Sequence, residues 1–334
     1  MEEPRAAIVR TLARKGLESG DVTRIVRARP VRLTRKMTVE EAFRLTVLEC
    51  LAQVAANTPA VVQARDAEGL HQMRVGLRRL HVALNAFGDE FRTPTLKELR
   101  KRTKAFTDTI APARDLDVFL GELFEGPANA GGHAEAFGVV KERAERAREE
   151  AWEQAVASVS SPEFSVFLDD VAVAAETHSW FGVGRTAFRT QFAADAPVKP
   201  TAARMLHDHL VRVRKRGRHM RSLNEHDRHR LRIALKKLRY AAEFFEPLYE
   251  KSKVKAYTRR LKLLLEDLGA LNDVVTVRGT LTRITESEET QRWNADVLFA
   301  AGMINGWHSE RALRLGESAV EHWRRFKKMD PFWS

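Results

Sequence analysis

One segment of this chain recurs, and that recurrence restricts the possible folds more than any other feature. The stretches "HQMRVGLRRLHVALNAF" (residues 71–87) and "HRLRIALKKLRYAAEFF" (residues 229–245) stand 158 positions apart. Over their first ten positions four residues are identical, five are conservative exchanges, and only Gln72 against Arg230 differs in kind. The same offset carries Lys101 and Arg102 onto Arg259 and Arg260, Lys104 onto Lys262, and Asp115 onto Asp273. A register held this long without insertion reads as a tandem duplication. A repeat so long, present only twice, predicts two related helical bundles rather than a solenoid.

The residues between the copies are helix formers. Ala, Leu, Arg, Lys and Glu dominate the 334 residues, β-branched alternation is scarce, and only 11 prolines and 18 glycines interrupt them. The fold class is therefore all-α. Periodicity predicts helices at 39–64, 69–92, 95–111, 115–124, 134–160 and 162–180 in the first half. In the second it predicts 200–221, 227–249, 252–269, 273–285, 288–304 and 307–328. Residues 1–37 are Arg-rich and weakly periodic, and read as a loosely packed basic arm. The breaker-rich stretch 181–200 reads as the joint between a first half of about 38–185 and a second of about 196–334.

Charge follows the repeat. The chain carries a net +12, and two blocks hold the excess: residues 71–104 have nine Lys/Arg against three Asp/Glu, and residues 201–262 nineteen against six. Residues 105–200 are acidic, with eight against sixteen. Scattered solubilising lysines would not cluster in this way, so an anionic partner is the inference. Helical geometry sharpens it. His71, Arg74 and Arg78 share one face, while Met73, Leu77, Leu80, Leu84 and Phe87 gather on the opposite one. In the second copy His229, Arg232 and Lys236 likewise oppose Leu231, Leu235, Leu238 and Phe245. Lys97, Arg100, Lys101 and Lys104 line one side of the next helix, and Lys255, Arg259 and Lys262 line its counterpart. A solvated helix face usually mixes charge signs, because like charges at i,i+4 repel. Four acid-free basic faces point to a polyanion that offsets the repulsion.

Other chemistries are poorly served. His207, His209, His219, His226 and His229 are dense, but His207 and His209 at i,i+2 diverge around a helix and no acidic residues join them at ligand spacing, so no metal is expected. Asp115 and Asp273 read either as N-caps of a fourth helix in each half or as carboxylates that orient an arginine such as Arg114. The two motif histidines can serve as ligand donors or as capping and interhelix hydrogen-bond partners. The one cysteine, Cys50, lies in an apolar run and reads as core. There is no glycine-rich phosphate loop, no argued Ser/His/Asp order, and little of the aromatic interleaving that stacks on bases. The first residues lack an apolar signal core, and no stretch is expected to supply the ~20 apolar residues of a membrane span, so a cytoplasmic setting without membrane contact is the expectation.

The paired motif H-x-[ML]-R-[VI]-x-L-[RK]-[RK]-L, followed in turn by "ARDLDVF" and "LNDVV", closely resembles the CHAD family, the conserved histidine α-helical domain. The resemblance covers about residues 38–330, leaving the arm outside it. It implies two four-helix bundles related by a pseudo-twofold, with a basic groove or pore between them. It also implies binding of inorganic polyphosphate, without catalysis or cofactor, and attachment to polyphosphate granules. Many relatives carry a triphosphate-tunnel domain with an E-x-E-x-K strand; that signature is absent here, as in a stand-alone member. The residues that would line the groove are His71, Arg74, Arg78, Arg79, Lys97, Lys101, Lys104 and Arg114 in the first half. In the second they are His207, Arg214, Arg218, His229, Arg232, Lys236, Lys237, Arg239, Lys255, Arg259 and Lys262. Where the second copy has Arg239 the first has His81, which weakens the first basic face at neutral pH. A metal-dependent phosphatase and a general nucleic-acid binder are the competing readings. Other polyanions remain candidate partners, and the sequence is silent on oligomeric state.

Overall fold

The computed structural model describes residues 25–87, 91, 93–130, 133–178, 180, 193–285 and 295–334. Helix α1 (Val39–Val62) opens on a capping box: the Thr38 hydroxyl accepts from the Glu41 N–H, and the Glu41 carboxylate accepts from the Thr38 N–H at 2.9 Å. Asp66 caps α2 (Ala67–Ala86) by accepting from the Gly69 N–H at 2.6 Å. Thr93 caps α3 (Pro94–Thr109), whose proline sits in the first turn, where its missing N–H costs nothing. There follow α4 (Ala111–Val118), a π-helical turn (Phe119–Leu123), α5 (Glu125–Ala130), α6 (Ala134–Val159) and α7 (Pro162–Thr177). The second half comprises α8 (Val198–Arg216), α9 (Glu225–Phe245), α10 (Lys251–Thr285) and α11 (Ala295–Lys327). No strand occurs among the described residues; a single bridge joins Thr38 to Pro197.

Three expectations need correction. The predicted pairs 252–269 with 273–285 and 288–304 with 307–328 are, where described, single long helices. "GALNDVV" reads as a break, but a helical Gly costs only about 1 kcal/mol and no proline forces a stop, so packing of α10 along α11 carries the helix through. The helix predicted from 115 begins at Ala111, which leaves Asp115 in its second turn and Asp273 deep inside α10, so neither aspartate is an N-cap. The arm is packed over residues 25–37: Val31 and Leu33 are buried. Asn57 Oδ1 accepts from the Val26 N–H at 3.1 Å while its Nδ2 donates to the Val26 carbonyl at 2.8 Å. Residues 1–24 and most of the predicted joint, 181–192, lie outside the described residues.

The main core runs through both halves. Leu77, Leu80 and Phe87 of α2 share it with Leu235, Leu238 and Phe245 of α9, and the Phe87 and Phe245 rings meet at 5.6 Å. These two phenylalanines are themselves 158 residues apart. A smaller core lies apart from it, where Phe119, Phe124 and Phe137 pack on Val277, Leu281 and Ile304. The far ends of α10 and α11 thus lean on the first half. Helix α1 is long and apolar enough for a membrane crossing, contrary to the expectation that no stretch would be. Its apolar residues are spent on the core instead, packed against α2 and α7. Cys50 is fully buried there, and burial pushes its thiol up to about 11. Close approach of α1 to α2 requires Gly76, where a Cβ would stand 2.8 Å from Val54 Cγ2 and 3.3 Å from its backbone nitrogen.

Candidate anion-binding site

Because the leucine stripes of α2 and α9 are drawn into one core, the faces opposite them emerge together. Arg74 and Arg78 of α2 and Arg232 and Lys236 of α9 form a quartet of cations that act on one another. Burial, then Arg78, Arg232, Arg239 and Arg74, drive the Lys236 ammonium down to about 6. Burial is the first cause for Arg232 too, followed by repulsion from Arg78, with Asp273 acting in the opposite sense. Among the described residues only Arg74 of the quartet has a carboxylate in ion-pair contact, Asp115 at 3.0 Å, with 19% and 39% of the side chains exposed. Asp115 therefore orients an arginine, Arg74 rather than Arg114. The Nε atoms of Arg74 and Arg232 are buried without a hydrogen-bond partner. Helix geometry has gathered like charges and left donors unused, at a cost that an anion would relieve.

At one margin stands His71, whose imidazole is pushed below its ordinary value by burial first and then by Arg114, with Glu68 pulling the other way and Arg78 and Arg74 adding to the lowering. Arg114 itself lies 3.4 Å from Glu122. His229 is exposed, with its Nδ1 2.9 Å from Asn272 Oδ1, and Asn272 Nδ2 donates to Thr276 Oγ1 at 3.2 Å. The interhelix hydrogen-bond role considered for the motif histidines thus applies to His229. Asp273 sits between Arg232, Arg311 and His308, and burial raises its carboxyl despite them.

The remaining predicted residues divide. Arg79 is buried, donates to Gln53 Oε1 at 3.2 Å and lies over the Phe244 ring at 5.3 Å, so it is part of the interior and not of an anion-facing surface. Arg239 Nε is 3.2 Å from Glu243 Oε1. Lys237 acts on His81, together with Arg100 and Lys104. Lys104 is paired with Asp108, and Lys97 and Lys101 are exposed on α3. Lys255, Arg259 and Lys262 are exposed on α10, Lys262 standing 3.6 Å from Glu266. His207 and Arg214 are exposed on α8, Arg214 near the buried Tyr257, and Arg218 is exposed in the turn that follows the helix. Sequence reasoning passed over Arg212 and weighed His209 only as a metal ligand, although both share the neighbourhood of Lys237; the buried His209 imidazole is held down at about 4 by burial, then Arg212 and Lys237. It also passed over Glu243, four residues from Arg239 and recognisable as its i,i+4 partner. Among the described residues no group of three or more His, Cys, Asp or Glu is placed to hold a metal.

A family model described as the CHAD domain matches residues 46–282. Two solved structures share the fold. The CHAD domain from the plant Ricinus communis is 24% identical with a TM-score of 0.76, covering 92% of this chain and 98% of its own. PptA from Streptomyces chartreusis is 16% identical with a TM-score of 0.63, covering 86% of this chain and 99% of its own. No curated protein matches the chain in sequence.

Proposed function

Since the chain belongs to the CHAD family, we propose that it binds inorganic polyphosphate at the cation quartet of α2 and α9, without chemical change to the ligand, and that it serves at polyphosphate granules in the cytoplasm. The observation that carries this reading is the convergence of Arg74, Arg78, Arg232 and Lys236 with a single ion-paired carboxylate among them. Polyphosphate offers about one negative charge per phosphate and no base or sugar to read. Recognition by closely spaced cations is then sufficient. Arginine presents a planar fork to two phosphate oxygens, and lysine a compact charge that neighbouring phosphates can share.

Duplex DNA carries the same charge on a rod about 20 Å across, and its phosphates approach a half-buried quartet less readily than those of a single flexible chain. The test is competition at matched phosphate concentration and moderate salt, with inorganic phosphate release followed in the same samples. Polyphosphate is expected to displace labelled duplex DNA and RNA, whereas neither displaces polyphosphate, and no phosphate appears. Equal competition by DNA would replace this reading with nucleic-acid binding. Phosphate release that disappears on neutralising the quartet would replace it with a phosphatase.

A further inference from the structure

Helix α11 carries two apolar faces, and the fold uses one. Val297, Ala300 and Ile304 are buried in the smaller core. On the opposite side Leu298 is 55%, Phe299 49% and Leu313 78% exposed, the Phe299 ring leaning on His133 at 4.6 Å. The exposed residues keep a heptad register: Phe299, Gly306 and Leu313 stand seven apart, and Gly302, Ser309 and Gly316 each follow three positions later. At ~100° per residue these six positions fall within about 100° of one another. That is the seam of a coiled coil, drawn on the outside of the molecule.

The glycines of the seam fill no contact in the fold. A Cβ at Gly302, Gly306 or Gly316 would meet nothing within 4 Å among the described residues. Each weakens the helix relative to alanine, and the space it leaves stays open. Covering the seam would strand no hydroxyl, because Ser309 Oγ already donates to the Asn305 carbonyl at 2.7 Å. On its border Glu310 is paired with Arg314 at 2.5 Å, and Glu317 flanks one end. Residues 295–320 carry two Lys/Arg against three Asp/Glu in a chain of net +12, so two copies can meet here without opposing the excess of positive charge.

We infer that α11 docks a second copy of this chain: two molecules pair antiparallel along the seam about a twofold axis, the glycines of each receiving the large side chains of the other. In that register Phe299 meets Gly316 of the partner subunit, Leu313 meets Gly302 of the partner subunit, and Gly306 meets Ser309 of the partner subunit. Large against small fills every layer. A parallel pairing would set Phe299 against Phe299 of the partner subunit and glycine against glycine, crowding one layer and emptying the next. From 299 to 316 the seam is about 25 Å long, so the association is modest and depends on protein concentration. It does not depend on what the quartet binds, and it puts two quartets into one particle.

The experiment is sedimentation equilibrium of the full chain over a range of concentrations, with melting curves for every variant. The unaltered chain is expected to pass from monomer to dimer. Leu313→Asp should raise the concentration required on the order of tenfold or more, because pairing would bury an unpaired carboxylate. The melting temperature of the dilute protein should not change, since Leu313 is exposed in the single chain. Gly302→Leu separates this register from general stickiness: it adds apolar surface yet fills the place of the partner's Leu313, so association should weaken. Phe299→Cys combined with Gly316→Cys should oxidise to a covalent dimer, whereas neither change alone should, because each position lies beside its own copy only in a parallel pair. Cys50 is buried and takes no part. The pairing is overturned by a dimer that Gly302→Leu strengthens, by one that Leu313→Asp leaves intact, or by cross-linking of either single cysteine variant. A chain that stays monomeric at every concentration overturns it as well. A fall in melting temperature on Leu313→Asp would then mean that the seam is covered from within the chain, and no fall that it receives a different protein.

Discussion

At the scale of single residues, Lys236 carries the clearest consequence. Its ammonium is pushed to about 6 in the folded chain against 10.5 for an ordinary lysine. The unfolded chain therefore holds the extra proton between those values, and this group's contribution makes stability rise with pH across that window. Lys236→Met removes the repulsion and keeps the stem's volume; it should raise unfolding stability at neutral pH by roughly 0.5–2 kcal/mol while weakening polyphosphate binding. Chemical denaturation and titration calorimetry on one preparation check both signs. A phosphate chain draws the proton back onto Lys236, so binding at pH 7–8 should take up a proton, and affinity should decline as pH rises above about 6. Calorimetry in buffers of different ionisation enthalpy reads that proton directly. The position of this residue on the basic stripe was legible from the 100° periodicity of α9, whereas its half-buried state was not. Burial depends on α2 crossing at Arg78, and no local pattern encodes where two stripes 158 residues apart come to meet. Arg79 makes the same point from the other side: adjacent to Arg78 in a run of cations, it reads as ligand-facing, yet one further helical step places it in the interior, over the Phe244 ring.

At the scale of elements, caps and stripes were readable and continuity was not. Leucine spacing located α2 and α9 within a few residues, because each carries an unmixed apolar face and a polar cap, Asp66 or Asn224. Continuous α10 defeated the same reasoning: Gly269 and the Asn272–Asp273 pair are local break signals, and only tertiary packing against α11 shows that they are overridden. Gly76 gives a prediction at this scale. It lies in the repeated motif where the second copy has Ala234, and a methyl group there would press on Val54 of α1. Gly76→Ala gains up to about 1 kcal/mol of helix propensity but meets a packed neighbour. The net expectation is a loss of roughly 1–2 kcal/mol in urea unfolding. Polyphosphate affinity measured below the transition should stay unchanged, since no quartet side chain touches that face.

For the whole molecule, the continuous main core predicts how it melts. Leu77 and Leu235 lie in different halves but in one buried cluster. Leu77→Ala and Leu235→Ala should each cost about 2–5 kcal/mol. Each variant should still unfold in a single transition by calorimetry, where two independent bundles would give two. Binding should be untouched at temperatures where both variants remain folded, whereas Arg78→Gln with Lys236→Gln should lose binding and its salt dependence without lowering the melting temperature.

The contact of Phe87 with Phe245, like the mutual action of Arg74 with Arg232 and of Arg78 with Lys236, joins a residue to its own counterpart in the other half. Self-pairing of this kind belongs to isologous interfaces, in which identical surfaces meet across a twofold axis. In a twofold pair of identical chains any one substitution falls on both sides of the axis; here Arg74 and Arg232, or Arg78 and Lys236, lie in one polypeptide and can change singly. The two sides already differ in this way, arginine standing at 78 where lysine stands at 236, and histidine at 81 where arginine stands at 239.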